Sequence, residues 1–82
     1  PNPFNPVTKI NFSVAPGNSE NVFTSLIIYD IMGREVEKLF SGELKRGAYS
    51  LQWNAENKPS GTYFAKLTSG EFTETIKMLL IK

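Results

Sequence analysis

Asp30 and Glu35 stand on either side of Gly33 and are the first residues whose types could do chemistry. A glycoside hydrolase needs two carboxylates flanking a sugar bond, one to donate a proton and one to attack or to activate water. Tyr49, Trp53, Tyr63 and Phe64 are a second possibility, since exposed aromatic rings on a β-sandwich can stack on sugars. Lys45-Arg46, set between Gly42 and Gly47, has the composition of a phosphate cradle. Each has a plainer explanation. Asp30 opens Asp-Ile-Met-Gly, with Asp at the first and Gly at the fourth position of a type I turn, and there it bonds its own backbone. Glu35 and Glu37 alternate onto solvent. Tyr49 and Trp53 share a strand face with Leu51, which makes them core. The Gly42–Gly47 segment precedes no helix and lacks phosphate-loop spacing, so it is a turn.

The bulk composition closes further routes. The 82 residues contain no cysteine and no histidine. This excludes disulfides, thiolate nucleophiles, cysteine–histidine metal sites and the commonest general base. No catalytic, cofactor-binding or metal-ligating set is expected. Nine basic and eight acidic residues nearly cancel to a net charge of +1. A nucleic-acid partner or a polybasic membrane contact would need a concentrated basic face, so neither is expected. No apolar run is long enough to span a bilayer as a helix, and the domain is not expected to be membrane-embedded. Hydrophobic residues make up 40% of the chain, enough for one small core.

The elements that would position these residues are strands. Residues 1–7 carry three prolines in the first six positions and read as a stiff lead-in with Phe4 free to pin it, part of a longer protein. Residues 8–82 read as one sandwich domain. Period-two alternation puts Ile10, Phe12 and Val14 on one face of a strand at 8–14. After a polar loop at 15–21, the strand at 23–31 turns Leu26 and Ile28 to one side and Ile27 and Tyr29 to the other. A hairpin partner follows at 34–40, Ser41-Gly42 breaks it, and 43–44 forms a short edge strand. The strand at 48–54 carries Tyr49, Leu51 and Trp53 on its inner face. Lys58-Pro59-Ser60-Gly61 signals a turn, and Tyr63, Ala65 and Leu67 line the inner face of 62–68. Ser69-Gly70 suits a tight hairpin connection. The last strand, 71–81, presents Phe72, Ile76, Met78 and Leu80 to one face, with Lys77, Leu79 and Ile81 on the other. No stretch is long enough for a stable helix. The predicted fold is all-β, an antiparallel sandwich of six to seven short strands.

Several segments together resemble the type A C-terminal sorting domain of type IX secretion. They are Pro1-Asn2-Pro3-Phe4-Asn5-Pro6, Ile28-Tyr29-Asp30 with Gly33-Arg34-Glu35-Val36, Trp53-Asn54, Pro59-Ser60-Gly61-Thr62-Tyr63, and Lys77-Met78-Leu79-Leu80. The resemblance spans essentially the whole chain. It implies an immunoglobulin-like sandwich without catalysis, placed C-terminal to a cargo domain. It further implies transit through the periplasm, partnership with an outer-membrane translocon and with surface-attachment and processing proteins, and a final location at the cell surface or outside. The sorting-signal residues it points to are Gly33, Arg34 and Glu35, and Lys77, Met78, Leu79, Leu80, Ile81 and Lys82. The immunoglobulin-like domain of flagellar hook-capping proteins is similar in its Tyr-Asp-x-x-Gly-Arg turn, so a structural or adhesive role is one alternative. A carbohydrate-binding module is another.

Overall fold

The computed structural model describes residues 6–15 and 20–82. Six strands follow one another: β1 (Val7–Val14), β2 (Asn21–Asp30), β3 (Glu35–Lys45), β4 (Gly47–Asn54), β5 (Gly61–Ser69) and β6 (Phe72–Leu80). No helix occurs among the described residues. Two sheets form, β1 with β4 and a four-stranded sheet in the order β3-β2-β5-β6, with all pairs antiparallel. The fold is the expected immunoglobulin-like sandwich. Most of the lead-in, including Phe4, and much of the loop after β1 lie outside the described residues.

Alternation builds the core between the sheets. Ile10, Phe12 and Val14 of β1, Leu26 and Ile28 of β2, Trp53 of β4, and Tyr63, Ala65 and Leu67 of β5 are buried together. Fully burying a side chain of this size contributes roughly 1.5–3 kcal/mol. Thr24 and Ser69 are buried with them and satisfy each other through a 3.0 Å hydrogen bond. Burial is deepest on β2 and β5 because the two-stranded β1–β4 sheet covers the middle of its larger partner. Ile76, Met78 and Leu80, on the edge strand β6, are only half buried. Phe72, expected on the inner face, is exposed for the same reason.

β3 departs most from expectation. Ser41-Gly42 does not break it, since Ser41 pairs with Ser25 and Gly42 with Thr24. The glycine makes room here: a Cβ on it would lie 3.3 Å from the Phe40 ring. Two register shifts against β2 give β3 one extra residue each time, Leu39 and Val36. Such bulges put two consecutive residues opposite one and reset the alternation beyond them. Glu35 therefore faces the outer side with Tyr29, while Glu37 pairs with Ile28 on the core side. The reading of both glutamates as solvent-facing is corrected for Glu37.

The connections also shift. Ser69 pairs with Phe72, so the β5–β6 hairpin loop is Gly70-Glu71 rather than Ser69-Gly70. Gly70 has φ +61° and Glu71 does not have positive φ, the type II′ pattern that follows strand twist. The hydrogen-bonded turn between β4 and β5 is Ala55–Lys58, closed by the Lys58 amide on the Ala55 carbonyl at 3.0 Å. It lies ahead of Lys58-Pro59-Ser60-Gly61, because Asn54 Oδ1 captures the Glu56 amide at 3.0 Å and starts the bend early.

Candidate functional site

The β2–β3 turn is organised by one side chain. Asp30 Oδ1 accepts the Met32 and Arg34 amides, each at 2.9 Å, and Oδ2 accepts Arg34 Nε at 2.9 Å. The Gly33 amide reaches the Asp30 carbonyl at 3.0 Å, and the Asp30 amide reaches the Arg34 carbonyl at 2.9 Å. Gly33 closes the turn with φ +84°, a left-handed backbone that glycine adopts without steric cost. The Arg34 amide is the main cause, with its guanidinium and the Met32 amide, of an Asp30 carboxyl held below the ordinary carboxylate range. Both carboxylate oxygens of Asp30 are thus taken up by its own turn. The turn presents other groups outward. Ile31 is 70% exposed and Met32 75% exposed, and the Arg34 side chain is 77% exposed although its Nε is fixed.

The segment leading into β5 lies beside this turn. Tyr63 is buried, and its hydroxyl donates to the Pro59 carbonyl at 2.6 Å, pinning the proline segment to the sandwich. Its ring meets Trp53 edge-on, with centroids 5.1 Å apart. An open cleft of about 490 Å³ runs between the turn and this segment, lined by Asp30, Ile31, Arg34, Lys58, Pro59 and Tyr63 among others.

The end of β6 reaches the same place. Asp30 pairs with Tyr63, Tyr63 with Met78, and Gly61 with Leu80. Beyond the strand, the Lys82 amide donates to Ser60 Oγ at 3.1 Å, and Lys82 Nζ donates to the Glu56 carbonyl. Met78 and Leu80 turn to the core and are half buried, whereas Lys77, Leu79, Ile81 and Lys82 are exposed. Gly33, Arg34 and Glu35 are exposed at the turn. Sequence reasoning gathered these residues into two blocks. Asp30, Ser60 and Tyr63, named there in the turn and in the family-like segments but not among the signal residues, hold those blocks in place. The signal for Asp30 was its position in the turn.

The aromatic residues do not assemble into a platform. Trp53 and Tyr63 are buried, Tyr49 stacks on Phe12 with centroids 5.6 Å apart, and Phe64 lies on the outer face of the four-stranded sheet. Among the described residues, no group of three or more acidic side chains comes together to hold a metal ion.

Over residues 1–82 the chain matches the protein-family model described as the secretion system C-terminal sorting domain. The chain belongs to the type IX secretion sorting-domain family. No curated protein and no solved structure matches it. Sorting domains of this family are non-catalytic and serve as signals for export to the cell surface or beyond. In this sorting domain, the turn at Asp30, the segment at Pro59 and the end of β6 form one end of the sandwich.

Proposed function

We propose that residues 8–82 act as a non-catalytic module that addresses a larger exported protein, attached through the lead-in at 1–7, to the outer-membrane translocon of type IX secretion. The cargo travels from the periplasm to the surface or the medium, where attachment and processing proteins act on it. The end of that lead-in is tied to the sandwich, since Val7 pairs with Asn54 and the Pro6 carbonyl accepts the Ala55 amide at 3.2 Å. The observation that supports this reading most strongly is convergence. Segments around residues 30–35, 59–63 and 77–82 are distant in the chain yet adjoin at one end of the four-stranded sheet. A receptor contacting that end would read folding and sequence together, and would pass over an unfolded copy.

The test is a fusion of residues 1–82 to a periplasmic reporter in a type IX-competent host and in the same host lacking the translocon. Surface reporter in the first and periplasmic retention in the second is the expected result. Equal distribution in both hosts would sink the proposal.

A further inference from the structure

The four-stranded sheet has a second face that nothing among the described residues covers. β2 and β5 turn Thr24, Leu26, Ile28, Tyr63, Ala65 and Leu67 inward, so Ile27, Tyr29 and Phe64 must face outward. Pairing fixes the rows. Tyr29 stands opposite Phe64, and Phe64 opposite Lys77; Ile27 lies between Lys38 on β3 and Lys66 on β5. The half-buried apolar centre is thus flanked by three exposed lysines. Glu35, opposite Tyr29, is the one carboxylate in these rows.

None of the three ammonium groups makes an ion pair or a hydrogen bond within the described residues. Strand spacing puts Lys38 and Lys66 about 10 Å apart at their Cβ atoms, and the diagonal neighbours Lys66 and Lys77 about 7–8 Å apart. At these Cβ spacings the Lys66–Lys77 pair lies within the Debye length at physiological salt, about 8 Å, and the Lys38–Lys66 pair just beyond it. Like charges this near repel one another, and an anionic surface laid over them relieves that repulsion. The apolar centre sets the second requirement. A cluster of Ile, Tyr and Phe side chains is the kind of anchor that a protein interface desolvates, whereas a simple anion would leave it wet.

We propose that this face docks a protein surface of opposite pattern, with carboxylates set around an apolar patch. Lys38, Lys66 and Lys77 supply steering and register, and Tyr29 and Phe64 supply the buried anchor. The inference rests on the sorting reading for the partner's place, since that partner would belong to the export machinery. It assigns Lys77 a role separate from the core role of Met78 beside it.

The experiment uses the full chain fused to a reporter, in two arms. In the first, Lys38→Glu, Lys66→Glu and Lys77→Glu are combined and compared with the three corresponding Lys→Arg changes. The Glu variant should lose exported reporter by at least about tenfold, the scale expected when like charges face each other across an interface. The Arg variant should retain export, and thermal midpoints should match the parent because these side chains are exposed. In the second arm, a photo-crosslinker at Thr75, beside Lys66 and Lys77 on this face, is compared with one at Gln52 on the other sheet. A protein adduct from Thr75 alone, lost in the Glu variant and identified as carrying an acidic patch, is the expected result. Normal export of the Glu variant, adducts to lipid only, or equal adducts from both positions would overturn the docking proposal and leave the sorting reading standing. A charge-dependent Thr75 adduct with no export of the parent fusion would do the reverse.

Discussion

Trp53 Nε1 donates a hydrogen bond to Glu37 Oε1 at 3.1 Å, joining β4 of one sheet to β3 of the other. Trp53 is 1% exposed, and Glu37 is the acceptor its indole N–H has in the structure. Glu37→Ala should therefore cost about 1–2 kcal/mol, the price of an unpaired buried donor. Glu37→Gln keeps an oxygen in reach and should recover most of that loss. Urea unfolding followed by fluorescence of the single tryptophan separates the two variants. Equal midpoints for Ala and parent would show that the contact contributes nothing.

Asp30 makes the β2–β3 turn sensitive to acid. Its folded carboxyl is held below the ordinary range, first by the Arg34 amide and then by the guanidinium and the Met32 amide. A depressed folded pKa gives stability that is present above the unfolded value and lost as pH falls through the folded one. Below about pH 4, the ordinary aspartate value, this contribution should drain away. Asp30→Asn should lower the melting temperature at pH 7, and its difference from the parent should shrink toward pH 2. A constant difference across that range would contradict the assignment.

Gly33 and Gly70 both need left-handed backbone, at φ +84° and +61°, but their surroundings differ. A Cβ at Gly33 would meet nothing within 4 Å, whereas one at Gly70 would come 3.3 Å from Val22 Cγ1. Gly33→Ala should cost about 1–2 kcal/mol from backbone conformation alone, and Gly33→Asn less, because asparagine tolerates this region. Gly70→Ala should cost more than Gly33→Ala. Chemical denaturation of the three variants gives the ranking, and an inverted order would refute it.

Thr24 and Ser69 share a hydrogen bond inside an otherwise apolar core. Thr24→Val strands the Ser69 hydroxyl and should cost about 1–2 kcal/mol, whereas Ser69→Ala leaves Thr24 Oγ1 its bond to the Val22 carbonyl at 3.1 Å and should cost less. The double variant removes both polar groups and should lose less than the sum of the singles. Strict additivity in a double-mutant cycle would count against coupling.

The two faces of β6 should separate in stability measurements. Met78 is half buried opposite Tyr63, while Leu79 is 67% exposed opposite Thr62. Met78→Ala should cost about 1–2 kcal/mol, less than the usual full-burial range. Leu79→Ala should stay within about 0.5 kcal/mol of the parent. Similar midpoints for both variants would mean that the edge strand contributes no packing.

Much of the sandwich was legible because alternation is local. The pleat sends every second side chain to one face, so Ile10, Phe12 and Val14, or Tyr63, Ala65 and Leu67, declare the core without knowledge of any partner strand. The Asp30 turn was legible for the same reason, since its bonds run between residues at most four apart. Phe72 shares the face of Ile76, Met78 and Leu80 as alternation indicates, yet it is exposed, because inward orientation does not ensure cover. It points toward a second sheet that is only two strands wide.

By itself the sequence determined an antiparallel sandwich of six to seven strands, most of their inner faces, the turn at Asp30 and, through resemblance, the family. Tertiary pairing decided the rest. A bulge exists only relative to a neighbouring strand, so no pattern within 35–45 revealed that Val36 and Leu39 are extra residues against β2. Those two insertions turn Glu37 inward to Trp53 while leaving Glu35 outside, and they place Lys38 beside Ile27 on the open face. The pole where residues 30–35, 59–63 and 77–82 adjoin was equally hidden. Only the β2–β5 and β5–β6 registers, set by long-range hydrogen bonds, bring those segments together.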